Sequence, residues 1–241
     1  MSAQSVTFSV VIPVKNESGN IEPVVTAIAA ACDGRTFEVI YANDGSTDDT
    51  AAKIDALKAQ YPWLKRIDHA TSGGQSAAVH SGTQAAQYNW IVTLDGDGQN
   101  PPSEIPKLLA KIDGSDTLGL IAGQRQKRKD TLSKRLASKF ANGIRSWILK
   151  DGTRDTGCGL KAFRRDAFLE LPYFDHMHRY LPALFTAYGW SVAHVDVAHA
   201  ERHSGTSNYN NLQRGLVGIY DLIGVTWLIR RRKKARPVKA D

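Results

Sequence analysis

Two aspartates separated by one glycine form the chemically most suggestive pattern in this chain of 241 residues. Asp95 and Asp97 directly follow the apolar run 90–94, in the sequence WIVTLDGDGQNPP. Residues i and i+2 of an extended segment point to the same side, so the two carboxylates converge, and their repulsion raises the pKa of one of them. A hard cation such as Mg²⁺ binds carboxylate oxygens and removes this cost. An acidic surface turn is the alternative, but the apolar strand before the pair and QNPP after it favour a metal site.

Two further polar clusters follow apolar, β-branched runs. The run TFSVVIP, residues 7–13, precedes Asn16 and Glu17, and the run 37–42 precedes Asn43-Asp44-Gly45-Ser46. Ser46 is predicted to cap the helix that follows, which has an acid three residues on. A cap does not explain Asp44, so we treat Asp44 and Glu17 as candidate binding residues.

The elements that must position these clusters alternate between strands and helices. Strands are predicted at residues 7–13, 37–42, 67–69 and 90–94, and helices at about 18–31, after Ser46, at 75–87 and after Pro102. This order predicts right-handed crossovers and a mostly parallel, Rossmann-like α/β sheet with helices on both faces. Ligands of such sheets bind beyond the carboxyl ends of the strands, where all three polar clusters fall. The alternation is lost after about residue 124, and we expect the later half to supply a second substrate site.

The composition is that of a folded protein with an uneven charge. Hydrophobic residues make up 42% and charged residues 23%, which is ordinary for a globular domain. The net charge of +7 comes from residues 124–139 and 230–241, which each hold seven basic residues and one acid. A nucleic-acid-binding protein usually spreads its basic residues over a broader face, so we expect no nucleic acid partner. Two cysteines and no export signal at the N-terminus indicate a reducing, cytosolic compartment.

Several sequence patterns that would indicate other enzyme classes are absent. The chain has no GxxxxGK[ST], no GxGxxG after the first strand, no HExxH and no GxSxG. These absences argue against P-loop nucleotide hydrolysis, dinucleotide binding, zinc proteolysis and α/β-hydrolase chemistry.

Two segments have the pattern of amphipathic helices. Residues 132–149 are predicted to form a helix with one apolar and one basic face, and residues 208–229 carry apolar side chains at helical spacing before Arg230–Lys234. The apolar face of the first comprises Leu136, Ala137, Phe140, Ile144, Trp147 and Ile148, and its polar face Lys134, Arg135, Ser138, Lys139, Asn142 and Arg145. In the second, the spaced residues are Leu212, Leu216, Ile219, Ile223 and Trp227. Basic amphipathic helices with aromatic residues lie in membrane interfaces, and neither segment is apolar for long enough to span a bilayer. The alternatives are an ordinary surface helix and a solvated basic tail.

The motifs together resemble a known family. VIPVKNE, EVIYANDGSTDDT and WIVTLDGDGQNPPSEIPKL, in this order, are similar to family two glycosyltransferases of the GT-A fold, and most closely to the polyprenyl-phosphate branch typified by dolichol-phosphate mannosyltransferase. The similarity continues into DTGCGLKAFRRDAF and HAERHSGTSNY and covers about residues 7–209. It implies a GT-A catalytic domain over residues 1–207, with an inserted amphipathic helix at 132–150, and a C-terminal helix and basic tail over residues 208–241.

The resemblance also implies a role for individual residues. Residues expected to contact the nucleotide of a sugar-nucleotide donor are Pro13, Val14, Asn16, Glu17, Asp44, Ser46 and Gln75. Those expected to hold Mg²⁺ or Mn²⁺ on the diphosphate are Asp95, Asp97 and Gln99, with Asp155 beside the reacting centre and Arg202 gathering the phosphates. Those expected to contact the acceptor phosphate are Arg125, Lys134, Arg135, Ser138 and Ser207. The chain departs from the family at residues 205–209, where GTSNY replaces a frequent GKSKY and two lysines are absent.

The implied activity is inverting, metal-dependent transfer of a sugar from a GDP- or UDP-sugar to a polyprenyl phosphate. We expect the protein to lie peripherally on an anionic membrane surface, on the cytosolic face, in the assembly of a cell-envelope glycolipid. The family often carries transmembrane helices that are missing here, which leaves room for a membrane protein partner. One alternative is a glycosyltransferase with a soluble or glycolipid acceptor. Another is a non-catalytic nucleotide-sugar-binding membrane adaptor, against which the set Asp95, Asp97 and Arg202 argues.

Overall fold

A seven-stranded sheet forms the centre of the molecule. The computed structural model describes residues 6–112, 114–125, 143, 145–149, 151–200 and 211–232, with the side chains of the last range from residue 218 onwards. The strands are β1 (Phe8–Val14), β2 (Phe37–Asn43), β3 (Leu64–Asp68), β4 (Trp90–Thr93), β5 (Leu118–Arg125), β6 (Lys161–Arg164) and β7 (Ser191–Val197). Their order across the sheet is β3-β2-β1-β4-β6-β5-β7. Only β6 runs against its neighbours in this described sheet, so the prediction of a mostly parallel sheet is confirmed.

Helices cover both faces of the sheet, as predicted. They are α1 (Ile21–Ala31), α2 (Thr50–Leu57), α3 (Gly74–Ala85), α4 (Ile105–Leu109), α5 (Arg165–Leu169), α6 (Leu181–Ala187) and α7 (Asn211–Arg231). Residues 145–149 are also helical, and short 3₁₀ turns lie at Pro102–Glu104 and Met177–Arg179. Along β1, Val10 and Ile12 enter the apolar cluster under α1, whereas Val11 enters the cluster on the opposite face. Burial on both faces explains why the strand is a continuous apolar run instead of an alternating one.

Two local predictions are wrong. The third strand runs from Leu64 to Asp68, not over residues 67–69, because it pairs only with β2 at the edge of the sheet and polar side chains interrupt its apolar pattern. Ser46 does not cap the following helix, which begins four residues later at Thr50. The Asp48 carboxylate instead accepts a hydrogen bond from the Thr50 N–H at 3.0 Å. The intervening chain contacts the turn after β1 before it enters the helix.

The helical residues 145–149 turn a basic side chain inward and an aromatic one outward. Arg145 is buried and forms an ion pair with Asp151, whereas the Trp147 side chain is 79% exposed. The sequence placed Arg145 on a polar face, but the Arg145 side chain packs on the body of the protein, where Asp151 compensates its charge. The apolar side is therefore exposed at Trp147.

Helix α7 also leaves apolar side chains uncovered. Val225 is buried against the body, and Leu222 and Ile229 pack around the same cluster. The opposite side exposes four large apolar residues, which are Ile219, Tyr220, Ile223 and Trp227. The helix is fixed to the body by two further contacts, one between His176 Nδ1 and Asp221 Oδ2 at 3.1 Å and one from the Tyr180 hydroxyl to the Gly218 carbonyl oxygen at 3.3 Å. We call the four exposed residues of α7 together with Trp147 the exposed apolar surface.

None of the helices in the described ranges is both long enough and apolar enough to cross a bilayer.

Candidate active site

The turn that carries the two aspartates lies against the end of β1. A Cβ atom on Gly96 would lie 2.4 Å from Val14 Cγ1 and 2.9 Å from the Pro13 carbonyl oxygen, so only glycine allows this approach. The Asp44 N–H donates to the Val14 carbonyl oxygen at 2.8 Å and joins the end of β2 to the same place. The carboxyl ends of β1, β2 and β4 therefore lie together at one end of the sheet, as the sequence predicted.

The turns after β1 and β2 are joined by direct hydrogen bonds. Asn16 has a positive φ of 55°, and its N–H donates to Ser46 Oγ at 2.9 Å. The Thr47 N–H donates to Asn16 Oδ1 at 2.8 Å, and the Glu17 N–H donates to Thr50 Oγ1 at 3.0 Å. The predicted nucleotide residues Asn16, Glu17 and Ser46 therefore lie along one rim of the site.

The Asp44 carboxylate is surrounded by donors from the turn that begins α3. It accepts hydrogen bonds from the Ser72 hydroxyl at 2.6 Å and from the N–H groups of Gly73 and Gly74 at 2.8 and 2.9 Å. His69 Nδ1 lies 2.7 Å from the same carboxylate. Burial acts to raise the pKa of Asp44, but these hydrogen bonds outweigh it and lower the pKa overall. Asp44 is thus held ionised and fixes the turn that precedes Gln75.

Asp95 and Asp97 form the acidic centre of the site. The Gln75 amide donates to Asp95 Oδ1 at 2.8 Å, and Asp97, only 8% exposed, accepts from the Gln99 N–H at 3.0 Å. Burial, and after it the charge of Asp97, raises the pKa of Asp95 to about 6. The predicted pKa rise is confirmed, although burial contributes more than the repulsion on which the prediction was based. A buried Asp97 does not fit the alternative of an acidic surface turn.

The segment 157–161 packs against Asp95, a role that the sequence analysis did not predict. A Cβ atom on Gly159 would lie 2.2 Å from Asp95 Oδ2, and the Thr93 hydroxyl donates to the Gly159 carbonyl oxygen at 2.7 Å. Lys161 is buried, and its ammonium group donates to the Cys158 carbonyl oxygen. The charges of Lys161 and Arg125 act to lower the pKa of Asp95. Two basic side chains thus act on Asp95, an influence that the sequence analysis did not include. The signal in the sequence was a lysine between Leu160 and Ala162 in an otherwise apolar run.

Arg125 and Asp155, which were predicted to have different roles, form one ion pair. Arg125 Nε and Nη2 donate to the two Asp155 carboxylate oxygens at 2.6 and 2.8 Å. The Gly157 N–H adds a hydrogen bond to Asp155 at 3.1 Å. Burial acts to raise the pKa of Asp155, but the hydrogen bonds and charge of Arg125 outweigh it and lower the pKa overall. Asp155 is thus better suited to fixing the guanidinium group than to accepting a proton.

The later part of the chain approaches the site at Gln99. The Ala200 N–H donates to the Gln99 carbonyl oxygen at 3.0 Å, which brings the chain before residue 201 next to the acidic turn. The remaining candidate residues lie outside the described ranges; they are Lys134, Arg135, Ser138, Arg202 and Ser207.

The donor set of the site fits a divalent cation bound together with a ligand. Asp95 and Asp97 supply oxygen atoms, and burial followed by the charge of Asp97 disfavours the ionised form of Asp95 and raises its pKa. No group of three or more His, Cys, Asp or Glu side chains with metal-site geometry occurs among the residues that the structure describes. Mg²⁺ characteristically binds through one or two carboxylates and completes its coordination with water and substrate phosphates. Two carboxylates at the edge of the sheet match that mode.

The fold is that of the GT-A glycosyltransferases. Glucosyl-3-phosphoglycerate synthase from Mycobacterium tuberculosis, solved with Mn²⁺, UDP and glucosyl-3-phosphoglycerate, superposes with a TM-score of 0.69 at 20% identity, over 93% of this chain and 80% of that chain. The mannosyltransferase PcManGT from Pyrobaculum calidifontis, solved with GDP-Man and Mn²⁺, gives a TM-score of 0.69 at 16% identity, over 98% of this chain and 67% of that one. At these identities the likeness establishes the fold, and the GT-A prediction is confirmed.

The sequence comparison then gives the family. The model of Glycosyl transferase family 2 matches residues 9–171, and the chain belongs to that family. A curated relative from Klebsiella pneumoniae, undecaprenyl-phosphate 4-deoxy-4-formamido-L-arabinose transferase, is 34% identical over 219 residues, which are 89% of this chain. The matched part spans 66% of the length of that relative.

Proposed function

We propose that this protein transfers a sugar from a nucleotide-sugar donor to a polyprenyl phosphate, with inversion at the anomeric carbon and with Mg²⁺ or Mn²⁺ bound at Asp95 and Asp97. One observation carries the proposal: a pair of carboxylates suited to a cation lies beside a guanidinium group fixed by Asp155, at the edge where such sheets bind ligands. The family and the name of the curated relative support the same reaction.

The donor occupies the edge formed by β1, β2 and β4 in this proposal. The nucleoside lies along Pro13, Val14, Asn16, Glu17 and Ser46, and the turn fixed by Asp44 closes that side. Gln75 holds Asp95 in place. A bound divalent cation supplies neutralisation of the charge that develops on the departing diphosphate. Gln99 adds an oxygen donor next to Asp97.

The acceptor phosphate has to be held in position for attack, whereas it does not have to be deprotonated first. Its phosphate oxygen is already anionic near neutral pH, so it attacks the anomeric carbon without a strong general base. A bond forms between that oxygen and the anomeric carbon as the bond to the donor diphosphate breaks, and the electron pair leaves with the nucleoside diphosphate. Arg125 attracts the acceptor phosphate, and Asp155 holds the guanidinium group in its orientation. The lowered pKa of Asp155 supports this orienting role over proton abstraction.

The exposed apolar surface supports a location at a membrane. Arg145 is buried while Trp147 is exposed, the reverse of an ordinary surface helix, which turns its polar side to water. On α7 the residues Ile219, Ile223 and Trp227 recur at helical spacing on an uncovered side that continues to Arg230 and Arg231. An apolar face with adjacent cations is the arrangement of helices that lie in the headgroup region of anionic bilayers.

This placement explains how the two substrates would meet. A polyprenyl phosphate keeps its tail in the bilayer and its phosphate at the surface, so a peripheral protein can reach it. We propose the cytosolic face of the membrane, for which the two free, buried cysteines Cys32 and Cys158 are suitable. We also propose that residues 1–207 form the catalytic domain, that residues 132–150 and 208–241 contact the membrane, and that a membrane protein partner assists this contact.

A transfer assay tests the reaction. Full-length protein is incubated with Mn²⁺, polyprenyl phosphate and a panel of UDP- and GDP-sugars, and both nucleoside diphosphate and glycolipid are measured. We expect release that depends on both the lipid and the metal with at least one donor. No lipid-dependent release with any donor would refute the proposal, and release with a soluble acceptor instead would favour the alternative acceptor class.

Vesicle flotation tests the membrane contact. Wild-type protein is expected to float with vesicles that contain anionic lipid, and less so as the salt concentration rises. Ile223→Asp and Trp227→Asp are expected to remain largely in the dense fractions, because each places a charge on the apolar side of α7. Ala59→Asp adds the same charge at an exposed position elsewhere and should float like wild type. Equal flotation of all four proteins would contradict the assignment of α7.

A further inference from the structure

Lys161 is a buried cation next to the metal site, and the proposed reaction makes no use of it. Its side chain lies on β6, where Lys161 pairs with Thr93, two residues before Asp95. Only 4% of the residue is exposed, and its ammonium group donates to the Cys158 carbonyl oxygen. Gly159, two residues before Lys161, lies directly against the Asp95 carboxylate. Lys161 is thus part of the segment that supports Asp95.

Without any bound ligand, part of the negative charge around Asp95 is already compensated. Asp155 is neutralised by its ion pair with Arg125, which leaves Asp95 and Asp97 opposite Lys161. Burial lowers the pKa of Lys161 overall, and the charges of Asp95 and Asp155 act in the opposite direction. Charges in a buried site interact more strongly than they do in water. A free divalent cation therefore meets two carboxylates that are already partly compensated, together with a like charge.

A nucleoside diphosphate changes this balance. Its diphosphate brings negative charge to the same edge of the sheet and offers phosphate oxygens to the cation, as Mg²⁺ sites commonly require. The attraction of the cation to the diphosphate acts against its repulsion by Lys161.

We propose that Lys161 keeps the affinity of the site for free divalent metal low, so that the metal binds tightly only together with a nucleoside diphosphate. This inference rests on the proposed function, because it assumes that Asp95 and Asp97 hold the metal. Lys161 has no contact with the reacting atoms in this view, and it acts as a positioning residue through Asp95.

Manganese binding measured by electron paramagnetic resonance tests the inference. Mn²⁺ is titrated at pH 8 into wild type, Lys161→Met and Lys161→Gln, each with and without UDP or GDP. Wild type should bind Mn²⁺ at least about tenfold more tightly with one of the nucleotides. The two neutral variants should bind Mn²⁺ alone at least about tenfold more tightly than wild type, because the repelling charge is gone. Lys161→Gln retains a donor for the Cys158 carbonyl oxygen and separates loss of charge from loss of that hydrogen bond.

Two controls separate charge from damage to the fold. Lys161→Arg keeps the charge and should retain the weak binding of free Mn²⁺. Lys58→Met removes a partly exposed lysine after α2 that pairs with Asp55, and it should leave Mn²⁺ binding unchanged. Unchanged or weaker binding of free Mn²⁺ by a folded neutral variant would overturn the inference. So would wild-type protein that binds Mn²⁺ equally well with and without nucleotide, a result that needs no variant. If wild type binds no Mn²⁺ with either nucleotide, the proposed function itself fails.

Discussion

Replacing Asp95 by asparagine is expected to stabilise the metal-free protein while it removes metal binding. Asparagine has nearly the shape of the protonated aspartate, and its side-chain oxygen can still accept the hydrogen bond from Gln75. The carboxylate of Asp95 is charged in a partly buried place, and this desolvation and the charge of Asp97 raise its pKa. The ionised carboxylate therefore lowers the free energy of unfolding, and the asparagine variant lacks this destabilising group.

The size of the effect follows from the pKa. Burial, and then Asp97, raises the pKa of Asp95 from 3.8 to about 6. Each pKa unit corresponds to about 1.4 kcal/mol, so the ionised carboxylate costs the folded state about 3 kcal/mol above pH 6. Because the pKa of Asp95 is higher in the folded than in the unfolded protein, the folded state is favoured below pH 3.8, where the carboxyl group is protonated. This stabilisation is lost as the pH rises through about 6. The advantage of the variant should hence be about 3 kcal/mol at pH 8 and under about 1 kcal/mol at pH 4.

Urea denaturation in the presence of EDTA measures this difference. The free energy of unfolding is obtained for wild type and Asp95→Asn at pH 8 and pH 4. Asp33→Asn removes an exposed carboxylate and should differ from wild type by no more than about 0.5 kcal/mol at either pH. A less stable Asp95→Asn at pH 8, or an advantage that does not depend on pH, would refute the reasoning about burial.

Three further changes test other parts of the site. Asp97→Asn should abolish transfer, by at least about a hundredfold in kcat/KM, with an unchanged circular dichroism spectrum; turnover at the wild-type rate would show that the metal assignment is wrong. Gly159→Ala should weaken Mn²⁺ binding measured with nucleotide, because its Cβ occupies the place of the Asp95 carboxylate; unaltered binding would contradict that packing. Asp155→Asn should raise the KM for polyprenyl phosphate more than the KM for the donor, since it loosens Arg125; an equal rise in both would argue against an acceptor role.

The parallel half of the fold could be predicted from the sequence because its pattern is local. Strands β1, β2 and β4 are buried on both faces and appear as apolar runs that end in polar turns. β6 could not be predicted in the same way, because its position between β4 and β5 depends on pairing with residues far apart in the chain. The predicted start of the edge strand β3 lay three residues too far along the chain, because only Leu64 within the strand is buried and its apolar pattern is weak.

The candidate site was predictable in its residue types but not in its pairings. The spacing of Asp95 and Asp97 and the position of Asp44 were informative because strand ends determine where such side chains lie. The ion pair of Arg125 with Asp155 was not, because 30 residues separate the partners in the chain. Lys161 was missed for a related reason: a single lysine in an apolar run gives no indication of which carboxylate it faces.

Anomalous diffraction from a crystal grown with Mn²⁺ and a nucleoside diphosphate tests the central claim most directly. The account predicts one manganese peak at coordination distance from the carboxylates of both Asp95 and Asp97, with the diphosphate completing its coordination. The two side chains turned apart, with no peak between them, would contradict it.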